Sequence, residues 1–369
     1  MKIILSLAVY CLAALCLFRC SIDVSQPAIP TSDSEIGSAS PLPPPLAISK
    51  VPITWANLNL SGRLVYISLD SLDNEVSPSI QILDLATGEV ATIFRSPKGA
   101  WIFYVTLSTD AKQLVMSYIP PSQSTASSNR ALYIMPLDTA TPPQPLFLPP
   151  TPHDHYVQAE WLPDGKYIYY AHYNDNDQPL GGLSPAYDIF RMTYPEGQPE
   201  KIVDHAFWPR ISSDSSKLVY VSVDQVSGKN ELFLANANGS NPQRVTFSGP
   251  WIPEIIDAPI VSPDGKSNLF SAPAPIQSYQ PNWFERFMGI QVAKAHSIPS
   301  DWWSVPVTGG VPTRLTRLQT INLFASISPD KQDIASLSGD GIFVMDLDGS
   351  NLTRLILDPG VLGTVSWIP

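Results

Sequence analysis

Two histidines and two charged residues recur at matched positions. His155 and His205 stand nine residues before Asp164 and Asp214, and Glu160 and Arg210 stand four residues before the same aspartates. If the local pattern is a structural repeat, equivalent positions lie side by side in neighbouring copies. His153, His155 and Glu160 are then expected to line a polar mouth near Arg210 and His205. Imidazole and carboxylate donors there would suit a metal or a small polar ligand, and a metal needs three or four of them converging. The other copies offer Trp101, Ile255 and Ile321 at the histidine position. The plainer reading makes all five contact residues, with Glu160–Arg210 a structural ion pair.

A second chemical stretch is Tyr173-Asn174-Asp175-Asn176-Asp177-Gln178, ahead of Gly181-Gly182. Alternating amide and carboxylate oxygens suit a hard cation, so Asp175 and Asp177 are candidate calcium ligands, although the later bidentate glutamate of an EF-hand is missing. An ordinary polar connection is the alternative. No other cofactor is expected. Nucleophilic catalysis has little to work with. The nearest approach to a nucleophile elbow, Gly182-Leu183-Ser184-Pro185-Ala186, is spoiled by Pro185 and Ala186. There is no phosphate-binding glycine loop, and the three cysteines, Cys11, Cys16 and Cys20, all precede the repeats.

The elements that must position these residues follow from self-similarity. Turns at Ser61-Gly62, Thr109-Asp110, Pro163-Asp164, Ser213-Asp214, Pro263-Asp264 and Pro329-Asp330 are spaced 48, 54, 50, 50 and 66 residues apart. After each comes a β-rich apolar run such as Leu64–Ile67, Tyr167–Tyr170 or Leu218–Val221. A hairpin follows, as in Ile342-Phe343-Val344-Met345-Asp346-Leu347-Asp348-Gly349 leading to Leu352–Leu355, where Asp-Gly supplies the positive φ of the turn. Four short strands repeated six times predict an all-β β-propeller of six four-stranded blades. The last residues, Thr364–Pro369, match Gln158–Pro163, so the C-terminal strand is expected to complete the first blade and close the ring. Seven blades, one of them partial, is the alternative.

The Ser-Pro-Asp-Gly turn at 262–265, its strand, and the Met-Asp-Leu-Asp-Gly…Arg-Leu hairpin at 345–355 resemble the WD-like repeat of TolB-type propellers over roughly residues 51–369. That resemblance implies the propeller fold. For function it implies little, since related propellers serve both as periplasmic protein-binding modules and as gating domains on oligopeptidases.

The 66-residue step comes from an insert at 273–300. Trp283, Phe284 and Phe287, with Met288 and Ile290, recur at near-helical spacing within it. It reads as a plug packed on its own propeller or as a lid that contacts a partner. Trp302 and Trp303 follow directly and are expected to anchor that contact.

Residues 1–20 read as a signal peptide or lipoprotein signal: Met1-Lys2, an apolar run from Ile3 to Phe18, and Cys20 as a lipidation candidate, although Arg19 stands where a small residue is usual. Residues 21–50, ending in Pro41-Leu42-Pro43-Pro44-Pro45, read as a flexible Pro/Ser-rich tether. The formal charge of −11 argues against nucleic acid and anionic lipid as partners. The expectation is an exported monomer, membrane-anchored in the cell envelope or secreted. It would touch membrane through its N-terminal anchor or lipid alone and bind a protein or peptide through one propeller face and the insert. A small-ligand sensor or enzyme using the mouth is the competing class.

Overall fold

The repeat turn is closed by its own side chains. Ser212 Oγ donates to Asp214 Oδ1 at 2.6 Å and accepts the Lys217 N–H at 2.9 Å, while Asp214 Oδ1 accepts the Ser216 N–H at 3.0 Å. The same set of bonds recurs at Ser108–Asp110, Ser262–Asp264 and Ser328–Asp330. Short side chains of this kind bond backbone groups that a tight reversal leaves without ladder partners. Where Leu162 replaces the serine, Asp164 still accepts the Lys166 N–H at 2.9 Å. In the first copy the turn relies on Gly62 at φ +87°, where any Cβ would collide with the Ile368 carbonyl.

The computed structural model describes residues 55–72, 75–121, 129–137, 141–177, 186–224, 227–273, 298–356 and 361–369, all within one unit, Pro45–Pro369. The signal segment 1–20, the tether 21–50 and Cys20 lie outside the described residues. Among the described residues, no helix is long and apolar enough to cross a membrane.

The strands are, in chain order, β1 (Arg63–Leu72), β2 (Glu75–Asp84), β3 (Val90–Arg95), β4 (Trp101–Leu107), β5 (Gln113–Ile119), β6 (Ala131–Pro136), β7 (Gln144–Phe147), β8 (Asp154–Trp161), β9 (Tyr167–Asn174), β10 (Tyr187–Thr193), β11 (Glu200–Val203) and β12 (Ala206–Ile211). They continue as β13 (Lys217–Val223), β14 (Asn230–Asn236), β15 (Gln243–Arg244), β16 (Asp257–Val261), β17 (Ser267–Pro273), β18 (Ser300–Pro306), β19 (Thr313–Arg314), β20 (Phe324–Ile327), β21 (Asp333–Ser338), β22 (Gly341–Asp346), β23 (Thr353–Ile356) and β24 (Val361–Ile368).

They pair as six four-stranded antiparallel sheets. Five are consecutive: β4–β7, β8–β11, β12–β15, β16–β19 and β20–β23. The sixth is β24-β1-β2-β3. The first-named strand of each sheet packs on its counterparts in the two neighbouring sheets, β24 on β4, β4 on β8 and so on round to β20 on β24. The protein is a six-bladed β-propeller, and the seven-blade alternative is set aside. Closure is as the terminal sequence match predicts: Leu64 pairs with Trp367, Val65 with Ser366 and Tyr66 with Val365.

Both faces of a blade are buried. On β1, Leu64 and Tyr66 belong to one interblade core, and Val65 and Ile67 to the next. On β9, Ile168 and Tyr170 face one neighbour and Tyr169 the other. This explains why second strands such as β9 and β13 carry runs of consecutive apolar residues rather than alternating ones.

Removing residues 364–369 takes away the partners of Arg63–Tyr66 and opens the ring. The truncated protein is expected to lose its cooperative thermal transition, followed by circular dichroism. A melt within about 2 °C of the full chain, less than a 1 kcal/mol change produces in a protein of this size, would show that closure carries no stability.

Candidate functional site

The inner strands are bent by bulges at one shared level. In β8, β12 and β16 the register to the next strand slips by one residue between Val157 and Glu160, Phe207 and Arg210, and Asp257 and Ile260. Gln158, Trp208 and Ala258 within these bulges take positive φ of 55°, 54° and 43°. Such conformations are costly for residues with a Cβ and persist where packing imposes them. All three stand six residues before their repeat aspartate, where the other blades have Tyr104, Phe324 and the nearly equivalent Thr364.

These positions close the axis. Tyr104 of β4, Trp208 of β12 and Phe324 of β20 converge from alternate blades: Trp208 meets Tyr104 edge-on at 5.5 Å and Phe324 at 5.2 Å, with Tyr104 and Phe324 at 6.4 Å. The intervening blades contribute smaller side chains. Gln158 Oε1 accepts the Trp208 N–H at 2.8 Å, and Thr364 Oγ1 accepts the Val105 N–H at 2.9 Å. Burial pushes the Tyr104 phenol up to about 12, so it stays neutral at ordinary pH.

Tyr104, Trp208 and Phe324 thus form an aromatic plug on the axis, with a polar region on either side of it. On one side, where the inner strands begin, His155 is buried at the head of β8. Its Nδ1 accepts the Arg130 N–H at 3.3 Å, which places the ring proton on Nε2, 2.8 Å from Asp175 Oδ2. The ring stacks on Tyr173 at 4.5 Å. Tyr173, itself buried, continues to the half-buried Tyr187 at 5.0 Å, and Tyr187 to the half-buried Phe207 at 5.6 Å, so an aromatic wall runs across two blades at this end with Tyr187 and Phe207 as its partly open part. Behind it, Asp154 binds His172 Nε2 at 2.9 Å, Asn174 Nδ2 at 2.8 Å and Thr151 Oγ1 at 2.6 Å. Burial pushes the Asp154 carboxyl up, but these donors outweigh it and hold it down at about 2.

On the other side of the plug, Arg210 donates to Glu160 Oε2 at 2.6 Å and to the Ala325 carbonyl at 3.0 Å, tying three blades together. Their side chains are 18% and 17% exposed. Burial raises the Glu160 carboxyl against the lowering pull of the guanidinium. A small depression lined by Trp208, Arg210, Ala258, Phe324, Ala325 and Thr364 lies beside the pair.

This geometry corrects one expectation and sharpens others. His155 and Glu160 do not share a mouth. They sit toward opposite ends of β8, pairing with Tyr173 and Tyr169, and an extended strand carries five residues about 16 Å. The Glu160–Arg210 ion pair between adjacent blades is present as the repeat spacing implied. His205 precedes β12, and its N–H donates to Asp188 Oδ1 at 3.0 Å. His153 is exposed, contributing its carbonyl to the Asp175 N–H at 2.9 Å.

Asp175 and Asp177 lie on a turn stitched by its own bonds, with Asp177 N–H on the Asn174 carbonyl at 3.0 Å and the Asp175 carboxylate given to His155. Among the described residues, no three His, Cys, Asp or Glu side chains converge as a metal would require. Trp302 and Trp303 are not contact residues. They are 0% and 5% exposed, and successive residues of β18 point to opposite faces of a blade covered on both. Trp302 Nε1 donates to Ser336 Oγ of the next blade at 2.7 Å, and Trp303 stacks on Trp251 at 3.9 Å. Trp283, Phe284 and Phe287 lie outside the described residues.

Among solved structures the chain is similar to TolB from Acinetobacter baumannii, with 16% identity and a TM-score of 0.55 over 84% of this chain and 67% of that one. It is similar to a putative TolB from Agrobacterium tumefaciens at 16% identity and a TM-score of 0.53, over 84% and 99% of the two chains. The fold is that of the TolB propeller. A chain of a nidogen–laminin complex also matches, at 11% identity and a TM-score of 0.53 over 82% and 98%. At these identities the TolB likeness is one of architecture. No family model and no curated protein matches the sequence.

Sequence reasoning missed Tyr104, Trp208 and Phe324, yet the signal was available. Counting back six residues from each repeat aspartate, rather than nine or four, picks them out. Arg130, Tyr187 and the Asp154–His172 pair carry no such signal, because the register between strands brings them together.

Arg210→Met strands the Glu160 carboxylate beside the axis and is expected to cost about 3 kcal/mol in denaturant unfolding. Adding Glu160→Gln should recover part of that loss, and strictly additive losses would show that the pair is not coupled. Asp154 stabilises the fold fully above its unfolded value near 4, and that contribution disappears as pH falls through its folded value of about 2. Thermal melts from pH 5 to 2 should fall less steeply for Asp154→Asn than for the wild type. Parallel curves would discount the Asp154 cluster.

Proposed function

We propose that this chain is a non-catalytic extracytoplasmic scaffold that binds a protein or peptide in the mouth above the aromatic plug. The observation that carries the reading is the pair of half-buried aromatics Tyr187 and Phe207, backed by the buried Tyr173, over a closed axis. Aromatic side chains offer large, rigid contact area with little entropy to lose, which is how protein interfaces concentrate binding energy. The plug makes the mouth a bowl rather than a passage, so a ligand docks there and does not thread through.

The topology adds to this. β17 ends and β18 begins on the same side as the head of β8, because strands alternate direction within each blade. The 273–300 insert therefore leaves and rejoins the propeller on the mouth side, where it would extend a contact surface. Export rests on the Ile3–Phe18 pattern, with Cys20 as the acylation point and 21–50 as the tether. His155, the lead candidate for a small-ligand or catalytic site, already has both ring nitrogens engaged, which weighs against the competing class.

Cross-linking and affinity purification of the full-length protein from its native envelope tests the reading. One stoichiometric protein partner is expected with the wild-type bait. It should be lost with Tyr187→Ala plus Phe207→Ala, or with deletion of 276–298. A partner retained equally by all three baits would place binding elsewhere and overturn the mouth as the site.

A further inference from the structure

Arg130, in the wall of the mouth, has no carboxylate counter-ion among the described residues. Its Nη1 donates to Tyr173 Oη at 2.8 Å, and its Cζ lies 4.1 Å from the centroid of the Phe103 ring and 5.9 Å from that of Tyr173. These contacts hold the guanidinium in one pose. Its Nε–H is buried with no hydrogen-bond partner among the described residues. No carboxylate among them forms an ion pair with it, whereas Arg191, Arg210 and Arg314 meet Glu200, Glu160 and Asp301 at 2.8, 2.6 and 2.6 Å.

Asp175 and Asp257, the acids whose charge acts on the same tyrosines as Arg130, each have a partner for one carboxylate oxygen. Asp175 binds His155, and Asp257 Oδ1 accepts the Ala258 N–H at 3.1 Å. A half-buried guanidinium is expensive to leave unpaired and is the side chain best suited to a fixed, two-pronged grip on a carboxylate.

We infer that Arg130 is the anchor for a carboxylate on the bound peptide, an acidic side chain or a C-terminus, with the neighbouring aromatic wall taking the adjoining residues. This rests on the mouth being a peptide-binding site and specifies what it recognises. The occupant is a peptide rather than a small acid because the wall runs on from Tyr173 through Tyr187 to Phe207, well beyond the reach of a single carboxylate group. The Arg130–Tyr173 bond and the Phe103 stack pre-orient the guanidinium, so little rotamer freedom is lost on binding.

The test is a random-peptide display selection against the whole propeller, followed by calorimetry with a selected peptide and its acid-to-amide counterpart. The selected peptides are expected to share an acidic residue or depend on a free C-terminus. Amidating that group and making Arg130→Gln should each weaken binding about tenfold, the scale of one charge-assisted contact. Combining the two should add little. A purely structural role for Arg130 would weaken acid and amide peptides alike. If Arg130→Gln does not fold, Arg130→Lys keeps the charge without the fork and should lose part of the discrimination.

Peptides that bind wild type and Arg130→Gln equally would overturn this inference and leave the scaffold reading standing. No enriched peptide at all would overturn both. Equal competition by free glucuronate would assign the site to small acids and overturn the peptide assignment.

Discussion

A propeller depends on joining two ends of a chain that are far apart in sequence. Here β24 must find β1 across roughly 300 residues. By the loop-closure relation that costs about 5 kcal/mol of chain entropy beyond a constant. Against it stand the backbone pairing from Arg63 to Tyr66 and the burial of Val365, Trp367 and Ile368 at 2%, 8% and 5% exposure. Each buried side chain of this size contributes about 2 kcal/mol, so burial alone meets the entropy. Trp367 Nε1 on the Ser61 carbonyl and Thr364 on Val105 then fix the register on both sides of the seam. Because every blade buries both faces, the seam also protects the interblade cores next to it.

Ring closure creates an axis that has to be filled or left wet. Six blades bring six inner strands close enough that three large side chains from alternate blades meet, with Gln158, Ala258 and Thr364 between them. Alternating large and small residues is how inward positions of a narrow ring interdigitate without overpacking. The positive φ of Gln158, Trp208 and Ala258 is the local cost of aiming those side chains inward. One consequence is functional: two polar regions that would otherwise share a channel become independent. The Glu160–Arg210 pair serves the fold, and the mouth around Arg130 and Tyr173 is where the proposed peptide would dock.

The architecture was legible because a repeat writes its period into the sequence. Turn spacing predicted six blades and the closing strand, and it placed Glu160 beside Arg210. The same counting misled where it ignored the third dimension of a strand. His155 and Glu160 are close in sequence but lie at opposite ends of an extended element. Trp302 and Trp303 were expected to anchor the insert's contact because they follow it directly; on a strand buried on both faces they are core. The mouth itself was mostly illegible. Arg130, Tyr173 and Tyr187 come from three different strands or loops, and only strand register brings them together.

Charge illustrates the difference between composition and placement. The chain is acidic at −11, which suggests at first a surface suited to basic partners. Yet Asp110, Asp214, Asp264 and Asp330 each accept a serine hydroxyl at 2.6 Å and a backbone N–H, holding a turn. Hydrogen bonds from Ser108, Ser212 and Ser262 keep the first three carboxyls below the ordinary range. Asp154 is likewise held by three side chains. Part of the negative charge is thus local structure repeated from blade to blade. What a partner would meet in the mouth is set instead by the few groups whose charge the fold does not use, and among those Arg130 is positive. An acidic protein can for that reason present a basic contact, and its net charge is a poor guide to what it binds.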